Sequence, residues 1–591
     1  IIIIITIMEF NVVVAHTFSK NGIGMQNGLP WNIKKDMNRF VSITKCVPTD
    51  PNIKYINSVI MGRTTWESIP EKFRPLNDRL NIIITGTPKT SENPLVKFVT
   101  WDELRITIAN FKWSKIKDET GKIYQLYSNY IIGGESIYYQ AMNQLTINTI
   151  YCTEIYNKFE CDTAFPDIDD QKYRLTICSS FMNENGMYFR FMDYQNTTLH
   201  LNSSNILNIG NTNENTNENT NRLPNGSVDE NTNENTNENS NENSNENVNG
   251  LPNGNVNENS NGLPNGNVDE NTNENTNENT NENTNEYTNN NIYQTDICFT
   301  NQEEENYLDL MLDIVQNGIE RNDRTGTGTI SLFGTQLKYD LSNTFPISTT
   351  KKMFFRAIFE ELMLYLRGFT DNKILQEKGI RIWDGNTNRK FLDERGLTDY
   401  PEGDMGETYG FNFRHFGGQY KNCHQDYTGQ GFDQLTSVID QIKNNPESRR
   451  IIINLWNPDG NQRAALPSCL CKYQFYVDTQ RNKLHLQIYI RSSDYFLAYN
   501  WNTCTGAIFV HLICNLEGIN LTPGTLTVVT GDTHIYKNHL KQVSENLTRK
   551  PYPFPKLLVK NKKTDITKFE FTDLELLGYR FHPRIAADMA V

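Results

Sequence analysis

Between Asn202 and Asn291 the chain all but runs out of side chains able to bury themselves, and that one stretch limits what can form on either side of it. Asn, Glu and Thr recur there in near-identical units, broken by Leu-Pro-Asn-Gly at 223, 251 and 263. With so few apolar groups nothing offsets the entropy lost on ordering, so a disordered tether is expected. Random-coil scaling gives it a reach of about 50 Å, extended further by its own charge. A chain of 591 residues divided in this way is expected to fold as two domains, 8–201 and 292–591, each long enough for its own core.

Locating the charge removes several function classes. The stretch from Asn202 to Asn291 holds thirteen Glu, two Asp and one Arg, a net charge of −14 that equals the −14 of the whole chain. The flanking domains are therefore neutral together, and neither a nucleic-acid-sized basic surface nor a membrane-directed polybasic run is indicated. Ten Cys are scattered without metal-ligand or secreted-framework spacing, which fits reduced thiols in a cytoplasm and no bound metal. Ile1 to Ile7 is nearly pure Ile without a basic flank, too short to span a bilayer or to make a signal core, and Met8 reads as the natural start.

In the second domain the informative stretch is Ala465-Leu466-Pro467-Ser468-Cys469, a thiol in a tight turn, followed by the alternating run Tyr473-Gln474-Phe475-Tyr476-Val477. A thiolate is the most nucleophilic side chain near neutral pH, and nearby guanidiniums favour it. The chain supplies Arg324, Arg449, Arg450 and Arg491, a set whose bidentate geometry also suits a phosphate. Taken alone, Cys469 reads first as a small buried core residue. The run Tyr307, Leu308, Leu310, Met311, Ile314 and Val315 has helical spacing, as does 356–367, where Glu361 lies among apolar residues and needs a polar partner or a catalytic role. Residues 473–478 and 484–491 alternate like paired strands, and 504–516 reads as a buried helix in which Cys504 and Cys514 pack.

Order and spacing turn the balance for Cys469 towards the nucleophile. From Tyr307 to Val591 the chain resembles thymidylate synthase: a Pro-Cys turn lies five residues before Gln474-Phe475-Tyr476-Val477, a spacing that Cys469 has and Cys471 lacks. Asp323-Arg324-Thr325-Gly326-Thr327-Gly328-Thr329, Glu360-Glu361-Leu362, Trp383-Asp384, Tyr409-Gly410-Phe411, Arg414-His415-Phe416-Gly417, Arg449-Arg450-Ile451-Ile452 and Gly531-Asp532-Thr533-His534-Ile535-Tyr536 keep the family order. The resemblance implies an α+β domain in which Cys469 adds to dUMP and the one-carbon unit comes from 5,10-methylenetetrahydrofolate. It further implies that Glu361 organises proton-transferring water and Tyr409 helps remove a proton. Trp383 and Asp494 contact the folate, Asp494 and Asn502 the uracil, and His534 and Tyr536 the ribose. Arg324, Arg491 and Ser492 take the phosphate, with Arg449 and Arg450 from a partner subunit, hence a homodimer through this domain. The chain departs from the family at Leu470, Ser468, Ile490 and Leu364.

The first domain opens with the β-branched run Phe10 to Ala15, suited to a buried strand, and the loop Asn21 to Trp31, whose three Gly suggest mobility. Asp36 and Phe40 fall one helical turn apart. Asp36 alone reads first as an ordinary first-turn acid. Gly28-Leu29-Pro30-Trp31, the run Met61 to Ile69, Arg74-Pro75-Leu76, Ile131-Ile132-Gly133-Gly134-Glu135-Ser136-Ile137-Tyr138 and Asp162-Thr163-Ala164-Phe165-Pro166 are in the order of dihydrofolate reductase, which residues 8 to about 195 resemble. That implies an α/β fold with a mainly parallel twisted sheet and flanking helices, and NADPH-dependent reduction of dihydrofolate. Asp36 would contact the pteridine with a water held by Thr153; Phe40 flanks the folate and Arg79 takes its carboxylate. Ala15, Gly22, Gly24, Arg63, Thr64, Thr65, Gly133, Gly134 and Tyr138 would bind the cofactor, with Gly86 where a second phosphate ligand is common.

Together the two resemblances imply one chain that makes dTMP and regenerates the spent folate. The rival readings are a synthase domain kept as a dimerising scaffold, a pyrimidine hydroxymethylase, and an RNA-binding regulator, the last opposed by the neutral domains. Deleting Asn211 to Asn285 should leave both domains folded and any dimer intact, because that composition buries nothing. Precipitation of the shortened protein, or loss of its dimer in sedimentation, would show a packing role.

Overall fold

The computed structural model describes residues 8–114, 116–118, 120–198, 299–323 and 325–589; the tether, the Ile-rich start and Arg324 lie outside them. The β-branched opening run becomes β1 (Glu9–Thr17), with Phe10, Val12 and Val14 turned into the core. The strands that follow are β2 (Gly22–Gly24), β3 (Ile53–Gly62), β4 (Arg79–Ile84), β5 (Val96–Val99), β6 (Ile123–Gly133), β7 (Thr146–Ile155), β8 (Thr163–Ala164), β9 (Tyr173–Cys178), β10 (Met182–Glu184) and β11 (Met187–Asn196). Eight of them order as β10-β11-β7-β1-β6-β3-β4-β5, with β9 added to β11. The contacts from β7 to β5 are parallel and those of β11 antiparallel. Parallel strands need crossovers, supplied by α1 (Lys34–Lys45), α2 (Arg63–Ser68), α3 (Leu104–Trp113) and α4 (Glu135–Gln144). β4 is buried at every position, as a strand covered on both faces must be.

In the second domain β12 (Ile319–Arg321), β13 (Thr329–Asp340), β14 (Ile452–Asn454), β15 (Leu470–Asp478), β16 (Lys483–Asp494) and β17 (Thr522–Tyr536) order as β12-β13-β17-β16-β15-β14. Only β16 and β17 pair in parallel. The helix Tyr499–Cys514 is buried nearly throughout and packs on β16 and β17. Alternation puts Tyr473, Phe475 and Val477 beneath it and leaves Tyr476 on the other face, 67 % exposed, with Phe333 of β13 at 83 %. This is an α+β layer with one face covered and one open.

The structure corrects the boundary of that helix and the reading of the glycine loop. The helix begins at Tyr499, five residues before Cys504, because Ala498 is its N-cap. The stretch from Asn21 to Trp31, taken as mobile, is tied down: β2 pairs with β8, and Met25 and Gly28 exchange backbone hydrogen bonds of 3.0 and 2.9 Å. Gln26 and Asn27 between them both have positive φ, 50° and 63°, the pattern of a two-residue type I′ hairpin turn. Here glycine serves close approach, since a Cβ on Gly22 would come within 2.6 Å of Cys161.

Candidate active sites

The first site lies where β1, β7 and α1 meet. Asp36 stands in the first turn of α1, half-buried, against Thr153 on β7, and Thr153 pairs across the strands with Ala15. Burial raises the Asp36 carboxyl above its ordinary value; the Thr153 hydrogen bond and Arg39 pull it partly back, and Glu184 opposes them. One turn on, the Phe40 ring lies 5.8 Å from the Arg79 guanidinium. Arg79 opens β4, almost fully buried, and donates to Thr44 Oγ1 at 2.8 Å and Asn77 O at 3.0 Å. Trp31 is buried with its Nε1 unpartnered among the described residues, so the indole N–H points at a place for an acceptor.

The Gly133-Gly134 pair sits at the corner from β6 into α4. Gly134 has φ +91°, and a Cβ on Gly133 would lie 2.6 Å from Thr65 Cγ2. Thr65 is thereby brought against the bare backbone. Arg63 and Thr64 are exposed beside it, Arg63 with Glu67 Oε1 at 3.3 Å. Gly22 donates its N–H to Thr17 Oγ1 at 3.0 Å and Gly24 pairs with Thr163. Tyr138 is buried, its hydroxyl donating to Val13 O at 2.8 Å, and Gly86 has open space around it.

In the second domain Cys469 immediately precedes β15. Its backbone N–H donates to the Tyr409 hydroxyl at 2.9 Å, and Arg491 Nη2 is 3.9 Å from its sulfur. Arg491 is fixed by donating to Ser468 O at 2.9 Å and Pro467 O at 3.0 Å and by lying 5.0 Å from the Trp456 ring. The helix Phe355–Leu366 buries Glu361, which accepts from Tyr365 Oη at 2.8 Å, Trp383 Nε1 at 2.8 Å and Trp501 Nε1 at 2.6 Å. All three donors are neutral, so burial still leaves the carboxyl raised. The Tyr409 ring stacks on Tyr365 at 4.8 Å and meets Trp383 edge-on at 6.2 Å, which links the thiol to the carboxylate. Burial pushes the Tyr409 phenol well up.

Further along β16 and β17, Asp494 pairs in register with His534 and Ser492 with Asp532. His534 Nδ1 lies 3.0 Å from Asp532 Oδ1, and its ring meets Tyr536 edge-on at 5.2 Å. Asp494 accepts from the Phe496 and Leu497 amides at 3.1 and 3.0 Å, fixing the entry to the helix. Asn502 lies inside that helix, donating its N–H to Ala498 O at 3.0 Å, so it does not cap it. Arg449 and Arg450 are not brought to the thiol: both are exposed in the turn before β14, where Ile452 pairs with Gln474.

Two of the four departures answer one another. Leu470 and Ile490 are direct cross-strand partners, 2 % and 0 % exposed, an apolar pair that leaves no polar group stranded. Ser468 is buried with its hydroxyl 3.2 Å from Thr408 Oγ1, and Leu364 lies in the core. Sequence reasoning missed Tyr365 and Trp501. Tyr365 follows Glu361 by one helical turn, a signal that could have found it; Trp501 joins only through the tertiary fold.

The raised Asp36 carboxyl has a worked sign. Its folded form favours the proton, so the stability it confers is fully present below its unfolded value of 3.8 and is lost as pH rises through the folded value. Asp36→Asn, which resembles the protonated acid, should therefore raise the melting temperature at pH 7. The gain should vanish once both states of the wild type are protonated, as melts across that range would read.

The comparisons with known proteins follow the same division. The family model of dihydrofolate reductase matches residues 9–196 and that of thymidylate synthase residues 305–591. Bifunctional dihydrofolate reductase-thymidylate synthase 2 of Arabidopsis thaliana is 36% identical over 583 residues, covering 98% of this chain and 88% of that one. The putative bifunctional enzyme of Oryza sativa subsp. japonica is 36% identical over 574 residues, 96% and 100% of the two chains. That of Paramecium tetraurelia is 32% identical over 582 residues, 98% and 99%. With both domains, their order and the full-length relatives in agreement, the chain belongs to the bifunctional dihydrofolate reductase-thymidylate synthases.

Proposed function

We propose the following division of labour for the two activities. In the synthase domain the Cys469 thiolate adds to C6 of dUMP, which makes C5 nucleophilic towards the methylene carbon of 5,10-methylenetetrahydrofolate. Loss of the C5 proton, assisted by Tyr409 and by water organised on Glu361, and hydride transfer from the folate then give dTMP and dihydrofolate, with Cys469 expelled. The observation that carries this reading is the 3.9 Å approach of Arg491 to the sulfur beside the Tyr409 hydroxyl: a cation at the nucleophile also awaits a phosphate. Ser492 and Arg324 would complete the phosphate site, Asp494 and Trp383 the folate site, and His534 and Tyr536 the ribose site.

The reductase domain returns the dihydrofolate to tetrahydrofolate. Asp36, with a water on Thr153, directs a proton to the pteridine; Phe40 packs on the folate and Arg79 receives its carboxylate. NADPH supplies the hydride when bound. The residues fit it: Gly133 and Gly134 leave backbone bare for a diphosphate, and Thr65, Arg63 and Thr64 stand beside it for the extra phosphate. Ala15, Gly22, Gly24 and Tyr138 would border the nicotinamide side.

The synthase domain would work as a homodimer across the open face of its sheet, where Phe333 and Tyr476 are exposed, with Arg449 and Arg450 reaching the phosphate of the partner's site. The nine described cysteines form no disulfide with one another, which suits a cytoplasmic setting; no described helix is long and apolar enough to cross a membrane.

Two measurements test the assignments. Cys469→Ala should abolish tritium release from labelled dUMP while sparing reduction of dihydrofolate, and Asp36→Asn the reverse; loss of both activities from either change would contradict two separate sites. The pyrimidine is read by Asn502, whose amide can match both O4 and N3–H of uracil. Cytosine reverses that pattern, and each buried group left unmatched costs about 1–3 kcal/mol. dCMP hydroxymethylases, which are related, carry Asp at this position. Asn502→Asp should therefore erode or invert the preference for dUMP over dCMP, and an unchanged ratio of kcat/KM would remove the role.

A further inference from the structure

Behind the reductase site lies a buried ionic cluster that neither reaction uses. Glu154 follows Thr153 on β7 and is fully buried. Its oxygens accept from Tyr156 Oη at 2.6 Å and from Arg580, and Arg190 Nη2 of β11 stands 3.9 Å away. Glu154 pairs in register with His16 of β1 on one side and Arg190 on the other. His16 is buried too, its Nε2 3.1 Å from Cys152 Sγ and its ring stacked with Phe165 at 6.1 Å.

Arg580 belongs to the other domain. The two domains form one packed unit, and the segment Gly578-Tyr579-Arg580 straddles them. Tyr579 accepts from Met353 N at 3.1 Å and donates to Ser348 O at 2.8 Å, both in the synthase domain. Its neighbour Arg580 turns into the reductase domain, where it binds Glu154, donates to Tyr194 Oη at 3.1 Å and lies 5.4 Å from the Phe18 ring. Gly578 makes the crossing possible: it has φ +73°, and a Cβ there would come within 2.8 Å of the Tyr156 ring. Arg190 donates in turn to Phe554 O of the synthase domain at 3.4 Å.

We propose that Arg580 of the synthase domain is a positioning residue of the reductase site. It acts through Glu154, which fixes the ends of β7 and β1 and so places Thr153 against Asp36. Without Arg580, Glu154 keeps only the more distant Arg190 and the Tyr156 hydroxyl. The strand ends then lose their fixed spacing. The ligand contacts assigned to Phe40 and Arg79 belong to α1 and β4, away from the cluster, so binding of the folate tail should be spared.

The test uses the full-length enzyme and reads both activities in each variant. Arg580→Met and Glu154→Gln should each lower reductase kcat by about tenfold or more. KM for dihydrofolate should move little, and tritium release from dUMP should be unchanged. Arg580→Lys, which keeps the charge, should lose less. The double variant Glu154→Gln with Arg580→Met should lose no more than the worse single variant, because both changes break the same contact. The proposal is overturned if the single variants keep wild-type reductase kcat or if the double variant shows the plain product of the two losses. It is equally overturned if both activities fall together with the melting temperature, which would make the cluster structural only.

Discussion

A carboxylate withdrawn from water must find its compensation within the chain, and four among the described residues that are wholly or partly buried are answered in different ways. Glu304 accepts from the amides of Thr349 and Thr350 and from the hydroxyls of Ser348, Thr349 and Thr350. Its lone pairs are spent, and it anchors a loop. Glu154 is met by guanidiniums and joins two domains. Glu361 has three neutral donors, enough to hold its position but not to erase the cost of its charge. Asp36 has Thr153 and the field of Arg39, the poorest compensation of the four. The two carboxyls answered without a direct ion pair and set beside other reactive or orphaned groups are those to which proton handling is assigned; the saturated one anchors a loop, and the ion-paired one joins the domains behind the reductase site.

The synthase departures are instructive for the same reason. Replacing one polar residue in a packed strand pair strands its partner, whereas Leu470 and Ile490 change together across adjacent strands and seal the place apolar. Ser468 keeps a hydroxyl partner in Thr408. The substitutions therefore leave the supports of Cys469 intact: Tyr409 still receives the Cys469 amide, and Arg491 still sits on the Ser468 and Pro467 carbonyls.

Much of this was legible in the residues. The buried strand from Phe10 to Ala15 follows from its β-branched run and the paired strands about 473–478 and 484–491 from alternation, while the mainly parallel sheet of the first domain comes with the resemblance to dihydrofolate reductase. Cys469 is singled out over Cys471 by the spacing to Gln474 that the resemblance to thymidylate synthase implies. What was not legible is of one kind. Glu304, in the run Gln302-Glu303-Glu304-Glu305, looks like a solvated helix start, and only the return of Ser348 to Thr350 over it makes it buried. Trp501 and Glu361 are far apart in sequence, so no local period could join them. The hairpin at Gln26-Asn27 was taken for a mobile loop because glycine signals permissive backbone without saying whether that permission serves motion or close packing. Local pattern fixes which face of an element is apolar; it does not say which polar group will be brought to it.

The joining of the two domains follows from where their polar groups had to go. The sequence between them carries almost nothing that could bury itself, so its composition offers no groups through which to specify an orientation. Orientation must come from contacts between the domains, and those present are specific ones: a glycine that admits the Tyr156 ring, a tyrosine hydrogen-bonded in one domain, and the next residue ion-paired in the other. Because Glu154 adjoins Thr153 on the same strand, the contact that orients the domains also bears on the reductase site. A reductase domain cut free of the synthase would keep its sheet and its Asp36 but would leave Glu154 without Arg580, at the end of the strand on which the assigned proton path depends.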